Sequence, residues 1–433
     1  MSELALLGGS KAITLDYAAI GTAPVCSLEG RKRVNELMEK GEISQSPTVA
    51  EFTTRFAAYT GAAFALCTNN GTSALDSALF AVGVQPGDEV IVPSYTFWAS
   101  VTPIIAQHGI PVFCDVDPQT FCLDPDDMEQ RITPRTRAVM VVHVWGNPCD
   151  MDAILAVAER HGLAVIEDCS HAHGALYKGK SVGTLGDIGC FSLQGSKTLP
   201  GGEGGILVTN NRTYYERAAA LGHYELIPSF EKTSPYHRFE LTGMGHKYRI
   251  HPFAAALALS QLDELDARNA IRRSNAVLFD QAVADIPCIA KQRELPEADR
   301  VFSYQYYRYM PVTDNPTETF VFLKALHAEG VLCGYCGYGR LHYAPLFIEG
   351  GAYGDCKPRQ KSSKPTLPVT EMLATTTFLA APRFETSCTP LVEQYIAAYR
   401  KVASHSDELH RYAKTHDFSE ELARLSGRSI AML

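Results

Sequence analysis

Leu163-Ala-Val-Ile-Glu-Asp168-Cys-Ser-His171-Ala-His-Gly174 and Phe191-Ser-Leu-Gln-Gly-Ser-Lys197-Thr-Leu-Pro-Gly-Gly-Glu-Gly-Gly205 decide how this chain folds. The first is a short apolar strand that ends in an acid. The second is a short apolar strand that runs into a glycine-rich turn carrying a lysine. A lysine and an aspartate on neighbouring strand ends are what pyridoxal phosphate (PLP) needs. The amine forms a Schiff base with the cofactor aldehyde, and the carboxylate keeps the pyridine nitrogen protonated so that the ring accepts electrons. A lysine alone would mean little, since most are solvated surface residues.

Outward from this pair, short apolar strands alternate with helical stretches. Residues 47–61 read as a helix with Phe52, Phe56 and Tyr59 on one face. Strands are expected at 64–67, 89–93, 111–114, 138–143 and 164–167, with helices at 74–82, 101–107 and 151–161. The alternation predicts an α/β fold, a mainly parallel sheet covered by helices on both faces. Such sheets place ligands beyond their strand ends. Thr72, Ser73, Phe97, Asp168 and Lys197 all fall there.

From Arg249 the character changes. His251 opens a helix expected to run on towards Ile286, and the domain boundary is placed within it. Residues 1–265 are read as an N-terminal arm with a large α/β domain, and 266–433 as a small α+β domain. A strand at 303–312 and helices at 318–330 and 391–410 are assigned to the latter. Residues 349–364, rich in Gly, Lys and Ser, read as a mobile loop. No role is read for the tail after Asp417.

The chain has 433 residues, which suits two domains. Its 39 basic and 48 acidic residues give a formal charge of −9, which argues against a nucleic-acid or anionic-membrane surface. The N-terminus lacks the pattern of a signal peptide, and no apolar run reaches the ~18 residues of a membrane span. With 12 scattered cysteines, a cytoplasmic protein with reduced thiols is expected. Cys333-Gly-Tyr-Cys336 has redox or zinc spacing, but no second pair accompanies it, so core or surface thiols and no metal site are expected.

The turn Asn70-Gly71-Thr72-Ser73 leads into a helix. It suits an anion at the helix N-terminus, and it equally suits an ordinary N-cap. Phe97 or Trp98 offers an aromatic face for stacking, or packs in the core. His171 and His173 read as structural histidines on their own.

The Glu-Asp168-x-x-His171-Ala-His-Gly and Ser192-x-x-x-x-Lys197-x-x-x-x-Gly-Glu-Gly-Gly motifs resemble the DegT-type aminotransferases. These are fold-type I PLP enzymes that aminate keto-sugars and keto-cyclitols. The likeness extends from about residue 5 to about residue 410. It implies a seven-stranded, mainly parallel sheet and a homodimer with shared active sites. It further implies that Gly71, Thr72, Ser73 and Ser192 hold the PLP phosphate, that Phe97 stacks on the ring, and that His171 supports ring and phenolic oxygen. Asp168 and Lys197 are then the catalytic pair.

Gly245-His-Lys247-Tyr-Arg249 resembles the family segment that reaches a partner's phosphate or substrate, with Lys247 where asparagine is commoner. A charged helix start is the other reading. Gly339-Arg340-Leu-His342-Tyr343 partly matches the family's substrate-facing loop, making Arg340, His342 and Tyr343 substrate candidates, and an ordinary surface loop fits as well.

The implied function is ping-pong transamination from glutamine or glutamate to a keto-sugar or keto-cyclitol. The chain's beginning and end resemble the cyclitol branch and its aminohydroxybenzoate-synthase relatives. An aromatising dehydratase of that type and a non-catalytic PLP-binding regulator are the alternatives. Dehydratases of the same fold that remove a hydroxyl carry histidine at the Lys197 position.

Overall fold

The computed structural model describes residues 2–16, 26–311, 316–336, 338–349 and 366–426. The strands of the large domain are β1 (Phe64–Thr68), β2 (Glu89–Pro93), β3 (Ile110–Cys114), β4 (Thr136–Val142), β5 (Ala164–Asp168), β6 (Leu176–Tyr177), β7 (Lys180–Ser181), β8 (Ile188–Ser192) and β9 (Gly205–Thr209). Seven of them form one sheet in the order β1-β9-β8-β5-β4-β2-β3. All run parallel except β9, which is antiparallel to both β1 and β8. The expected mainly parallel seven-stranded sheet is therefore present.

Both faces of the sheet are covered, so its strands are apolar on each side. Side chains alternate along a strand. Ile91, Val139 and Val141 join Phe52, Phe56, Ile154 and Leu259 in one core layer. Val90, Val92, Ala138 and Met140 join Leu75, Leu79, Ile104 and Ala219 in the other.

The C-terminal part holds β10 (Ile289–Lys291), β11 (Ala298–Asp299), β12 (Gln305–Tyr309), β13 (Gly334–Tyr335) and β14 (Thr377–Ala381). A four-stranded antiparallel sheet, β10-β12-β14-β13, packs against helices Pro316–Ala328 and Thr389–Ser404. The short β11 instead pairs with β6 of the hairpin β6-β7. The N-terminal arm, grouped with the large domain by its place in the chain, packs on the small-domain core through Leu4 and Ile13. Buried Glu329 accepts hydrogen bonds from Ala5 N, Ala12 N and Lys401 Nζ, which latches the arm there.

The helix expected to run unbroken from His251 towards Ile286 is two helices, Pro252–Leu262 and Leu265–Ala282. Neither Gly nor Pro causes the break. Glu264 N bonds Gln261 O in a tighter turn, and Arg268 clamps it by donating to Gln261 Oε1 and Glu264 Oε2. Of the strand expected at 303–312, Gln305–Tyr309 forms one among the described residues. The loop expected at 349–364 lies, but for Glu349, outside the described residues. Beyond Asp417, where no role was read, Ser419–Ser426 is a helix and Phe418 is buried in the small-domain core.

Two glycines let the backbone close up at the edge of the sheet. A Cβ on Gly205 would sit 2.4 Å from Asn70 O, and one on Gly71 would sit 2.8 Å from Ser192 Cβ. Gly205→Ala must push backbone from backbone, an overpacking cost of about 1–3 kcal/mol. We expect that variant to melt earlier and to hold an anionic ligand at the 70–73 turn more weakly. Wild-type melting and phosphate affinity in the variant would contradict this packing.

Candidate active site

Because six strands run the same way, their C-terminal ends share one edge, and that edge gathers the predicted residues. β5 and β8 are parallel neighbours, with Asp168 opposite Cys190. The turn after β8 carries Lys197, and β5 itself ends in Asp168. β1 ends at Thr68, directly before the 70–73 turn, and Gly205 lies across from both Thr68 and Ser192. Phe97 follows the end of β2.

The helix Gly71–Val82 is capped by Asn70, whose side chain accepts from Ser73 N. The first-turn amides of Gly71 and Thr72 have no intrahelical acceptor by geometry. The missing Cβ of Gly71 lets the helix start lie close to Ser192. Amides, two hydroxyls and a helix N-terminus make a site for a phosphate group. The N-cap reading is met by Asn70, and the cap leaves room for an anion at the same helix start.

Asp168 is buried. Its Oδ2 accepts from Ser100 Oγ at 2.7 Å and its Oδ1 from Ser170 N at 3.0 Å. Both donors keep the carboxylate oriented. Beneath it, buried Glu167 accepts from the amides of Gly183, Leu185 and Gly186 and from His143 Nε2. His143, Glu167 and Cys169 come close enough to resemble a metal cluster. Glu167's lone pairs are already taken by those four donors, so the group acts as a brace under β5.

Lys197 is partly buried in the turn after β8. Desolvation lowers its amine to about 8; the Asp168 carboxylate opposes that shift, and the Arg383 guanidinium adds to it. His171 is held neutral, well below its usual value, by burial and then by the Lys197 cation. Its Nδ1 accepts from Trp145 N at 3.3 Å, leaving the ring proton on Nε2. Tyr338 stacks on His171 at 14° between planes, with its hydroxyl 3.3 Å from both ring nitrogens. His173 lies deeper, its Nδ1 3.2 Å from Thr198 Oγ1.

Phe97 and Trp98 are 46% and 49% exposed, side by side at 4.9 Å. Inclined at 40° to each other and open to solvent beside Ser100, the two rings provide an apolar aromatic surface.

Other candidates are placed differently. Lys247 is exposed, and the Arg249 guanidinium lies 5.6 Å over the Tyr224 ring, while its backbone bridges to Thr68. Arg340, His342 and Tyr343 converge on Glu371. His342 is 3% exposed, with one ring nitrogen at Ser94 Oγ and the other at Glu371, so it anchors the loop to the end of β2. Arg340 is the exposed member.

Sequence reasoning missed Ser100, Trp145, Tyr304, Tyr338 and Arg383. Only Ser100, in the same turn as Phe97, carried a local signal. The pair Cys333 and Cys336 is buried, and burial pushes both thiols up to about 12, which suits core packing rather than redox or zinc chemistry.

The residues fit PLP: an anion cradle, a carboxylate, a lysine and an aromatic wall stand on one sheet edge. The sequence model of the DegT/DnrJ/EryC1/StrS aminotransferase family matches residues 26–381. The chain belongs to that family. It is 38% identical over 310 residues to an L-glutamine:2-deoxy-scyllo-inosose aminotransferase of Streptoalloteichus tenebrarius, covering 68% of this chain and 69% of that one. It is 42% identical over 260 residues to a GDP-perosamine synthase of Caulobacter vibrioides, covering 59% and 68%. Among solved structures, 3-amino-5-hydroxybenzoic acid synthase superposes with a TM-score of 0.77 at 28% identity, over 90% of this chain and 99% of that one. DesV of S. venezuelae, solved with a ketimine intermediate, gives 0.75 at 31% identity, over 87% and 94%. The fold is that of fold-type I PLP enzymes, and the protein is an aminotransferase.

An amine near 8 is protonated at low pH and neutral above. Attachment of PLP to the apo-protein should therefore speed up about tenfold per pH unit below 8 and level off above it. Stopped-flow absorbance checks this. A rate still climbing at pH 10 would show an ordinary lysine.

Proposed function

We propose that this aminotransferase moves the amino group of L-glutamine or L-glutamate to a ketone on a cyclitol or sugar, with PLP as carrier. The placement of Lys197 beside Asp168, on an edge that also offers a phosphate cradle, carries the reading. The glutamine-dependent cyclitol relatives supply the donor and acceptor classes. The GDP-perosamine synthases keep the sugar alternative within the same class of ketone.

When bound, PLP supplies the aldehyde that carries nitrogen between half-reactions and a ring that withdraws electrons. This chain's residues do the rest. Gly71, Thr72, Ser73 and Ser192 hold the phosphate. Asp168, held in place by Ser100 and Ser170, would meet the pyridine nitrogen. His171, neutral and protonated on Nε2, donates towards the phenolic oxygen. Lys197 would anchor the cofactor through its amine and, as a free amine, would take the proton from the donor's α-carbon and hold it for delivery across the nitrogen. Its lowered basicity leaves more neutral amine for that work near neutral pH. In the second half-reaction the same groups run the sequence in reverse on the acceptor ketone. The buried thiols suit the reducing interior of a cell, where we place the enzyme.

The direct test is a two-stage assay. L-Glutamine alone should shift the absorbance of the lysine-bound cofactor to that of its amine form. Keto-cyclitols of the scyllo-inosose class or nucleotide keto-sugars should then shift it back with release of an amine. A cofactor that never responds to an amino donor would contradict the proposal, and dehydration without amine transfer would favour the aromatising alternative.

We further propose a homodimer in which Arg249, and with it Lys247, serves the neighbouring subunit's site, leaving two equivalent sites about a two-fold axis. Supporting this are the motif and the position of exposed Lys247 two residues before the partly exposed Arg249 in an acidic chain. Mixing inactive Lys197→Ala with inactive Arg249→Ala subunits should restore partial activity. One hybrid site would be intact and the other doubly defective. Absence of recovery in demonstrated heterodimers would place Arg249 in its own chain's site.

A further inference from the structure

We propose that the small domain supplies a second hydrogen-bond donor to the cofactor's phenolic oxygen, the hydroxyl of Tyr338, which holds that oxygen jointly with His171. The inference rests on the cofactor reading above and adds a residue to its ring contacts.

Tyr338 follows β13 and precedes the loop that His342 anchors to Ser94 and Glu371. Aromatic neighbours fix its ring. Trp145 stacks on it at 5.7 Å with 15° between planes, and Tyr95 meets it edge-on at 5.8 Å. The placement of the ring therefore does not depend on its hydroxyl. That hydroxyl lies 3.3 Å from both nitrogens of His171.

The position of the protons decides what this hydroxyl can do. Nδ1 of His171 uses its lone pair on Trp145 N, and Nε2 carries the ring proton. Neither nitrogen has a lone pair left to take the Tyr338 proton. An oxygen equidistant from both nitrogens also lies well off the line of the Nε2–H bond, which points away from Nδ1. The imidazole therefore does not spend its proton on Tyr338 either. Among the described residues the Tyr338 hydroxyl has no other side-chain partner. One N–H and one O–H thus stand side by side, both unspent. A buried donor without an acceptor is costly, and two together call for an oxygen rich in lone pairs.

Both groups are kept neutral, and so kept as donors. Burial raises the phenol of Tyr338 far above its usual value, and Cys336, Tyr306, Tyr304 and Asp168 add to the rise. Burial lowers His171, and Lys197, His173 and Arg383 lower it further. The phenolic oxygen of PLP supplies the missing acceptor. It is ionised when the nitrogen joining the cofactor to Lys197 is protonated, and its charge holds that proton. Each donor on the oxygen draws charge away and loosens the proton. His171 brings one donor from the large domain and Tyr338 the other from the small domain.

The absorbance of the PLP-loaded protein, titrated with pH, tests this. Loss of a donor makes the phenolic oxygen hold the linking proton more tightly. Tyr338→Phe, which keeps the stack, should therefore raise the titration midpoint by about one pH unit. His171→Ala should raise it as well, and the double variant further than either. An unchanged midpoint in Tyr338→Phe overturns the proposal. So does a double variant that matches His171→Ala, since Tyr338 would then act only through His171. Equilibrium dialysis gives a second readout. Tyr338→Phe should bind PLP about tenfold more weakly than wild type. It should bind 3-deoxypyridoxal phosphate, which lacks the phenolic oxygen, as wild type does. Equal losses with both ligands would make Tyr338 a packing residue and overturn the proposal. Should Tyr338→Phe hold PLP too weakly to titrate, this pair of affinities decides. A wild type in which PLP never gives the absorbance of a lysine-bound cofactor would mark failure of the cofactor reading, a different result.

Discussion

The parallel pairing of β5 with β8 is the constraint on which the rest depends. It sets Asp168 opposite Cys190 and so puts the carboxylate beside the turn that carries Lys197. Neither side chain could find the other through local sequence. The pairing is made rigid from below, because Glu167, one residue before Asp168, is tied by three backbone amides and His143. A slip of one residue would turn Asp168 to the opposite face and bury its charge against apolar side chains. Placing the acid therefore fixes the register of the central sheet.

A second constraint is close backbone approach. Asn70, Gly71, Ser192 and Gly205 meet where any larger residue at either glycine would collide. The antiparallel β9 is part of this device. It inserts between β1 and β8, so its first residue, Gly205, faces the ends of both. The proposed phosphate site thus depends on the topology of the sheet. The small domain is then pinned to the same edge by aromatic contact. Buried Trp145, at the end of β4, stacks on Tyr306 at 4.0 Å and on Tyr338 at 5.7 Å. The amide of that residue also fixes the tautomer of His171.

The large sheet was legible because its strands are apolar runs bounded by turn residues, and because the chemistry of Asp168 and Lys197 demands adjacency. The helix start after β1 was legible as well, since Asn70, Gly71, Thr72 and Ser73 are cap and turn residues directly after a strand. Other features carried no local signal. The two-residue strands β6, β7 and β11 are too short for any periodicity. The break between Leu262 and Leu265 uses neither Gly nor Pro. Trp145, Tyr304, Tyr338 and Arg383 reach the site from well-separated segments and read as ordinary core or surface residues until the fold assembles them. Conversely, His342 matched a substrate loop in sequence, and burial against Ser94 and Glu371 makes it an anchor.

Borohydride reduction of the PLP-loaded protein, followed by peptide mass mapping, tests the central claim most directly. It freezes the bond between cofactor and lysine wherever that bond exists. The account predicts one cofactor-sized mass increment, on the peptide containing Lys197, abolished by Lys197→Ala. An increment on another lysine, or none in protein shown to bind PLP, would contradict the placement of the reactive amine beside Asp168.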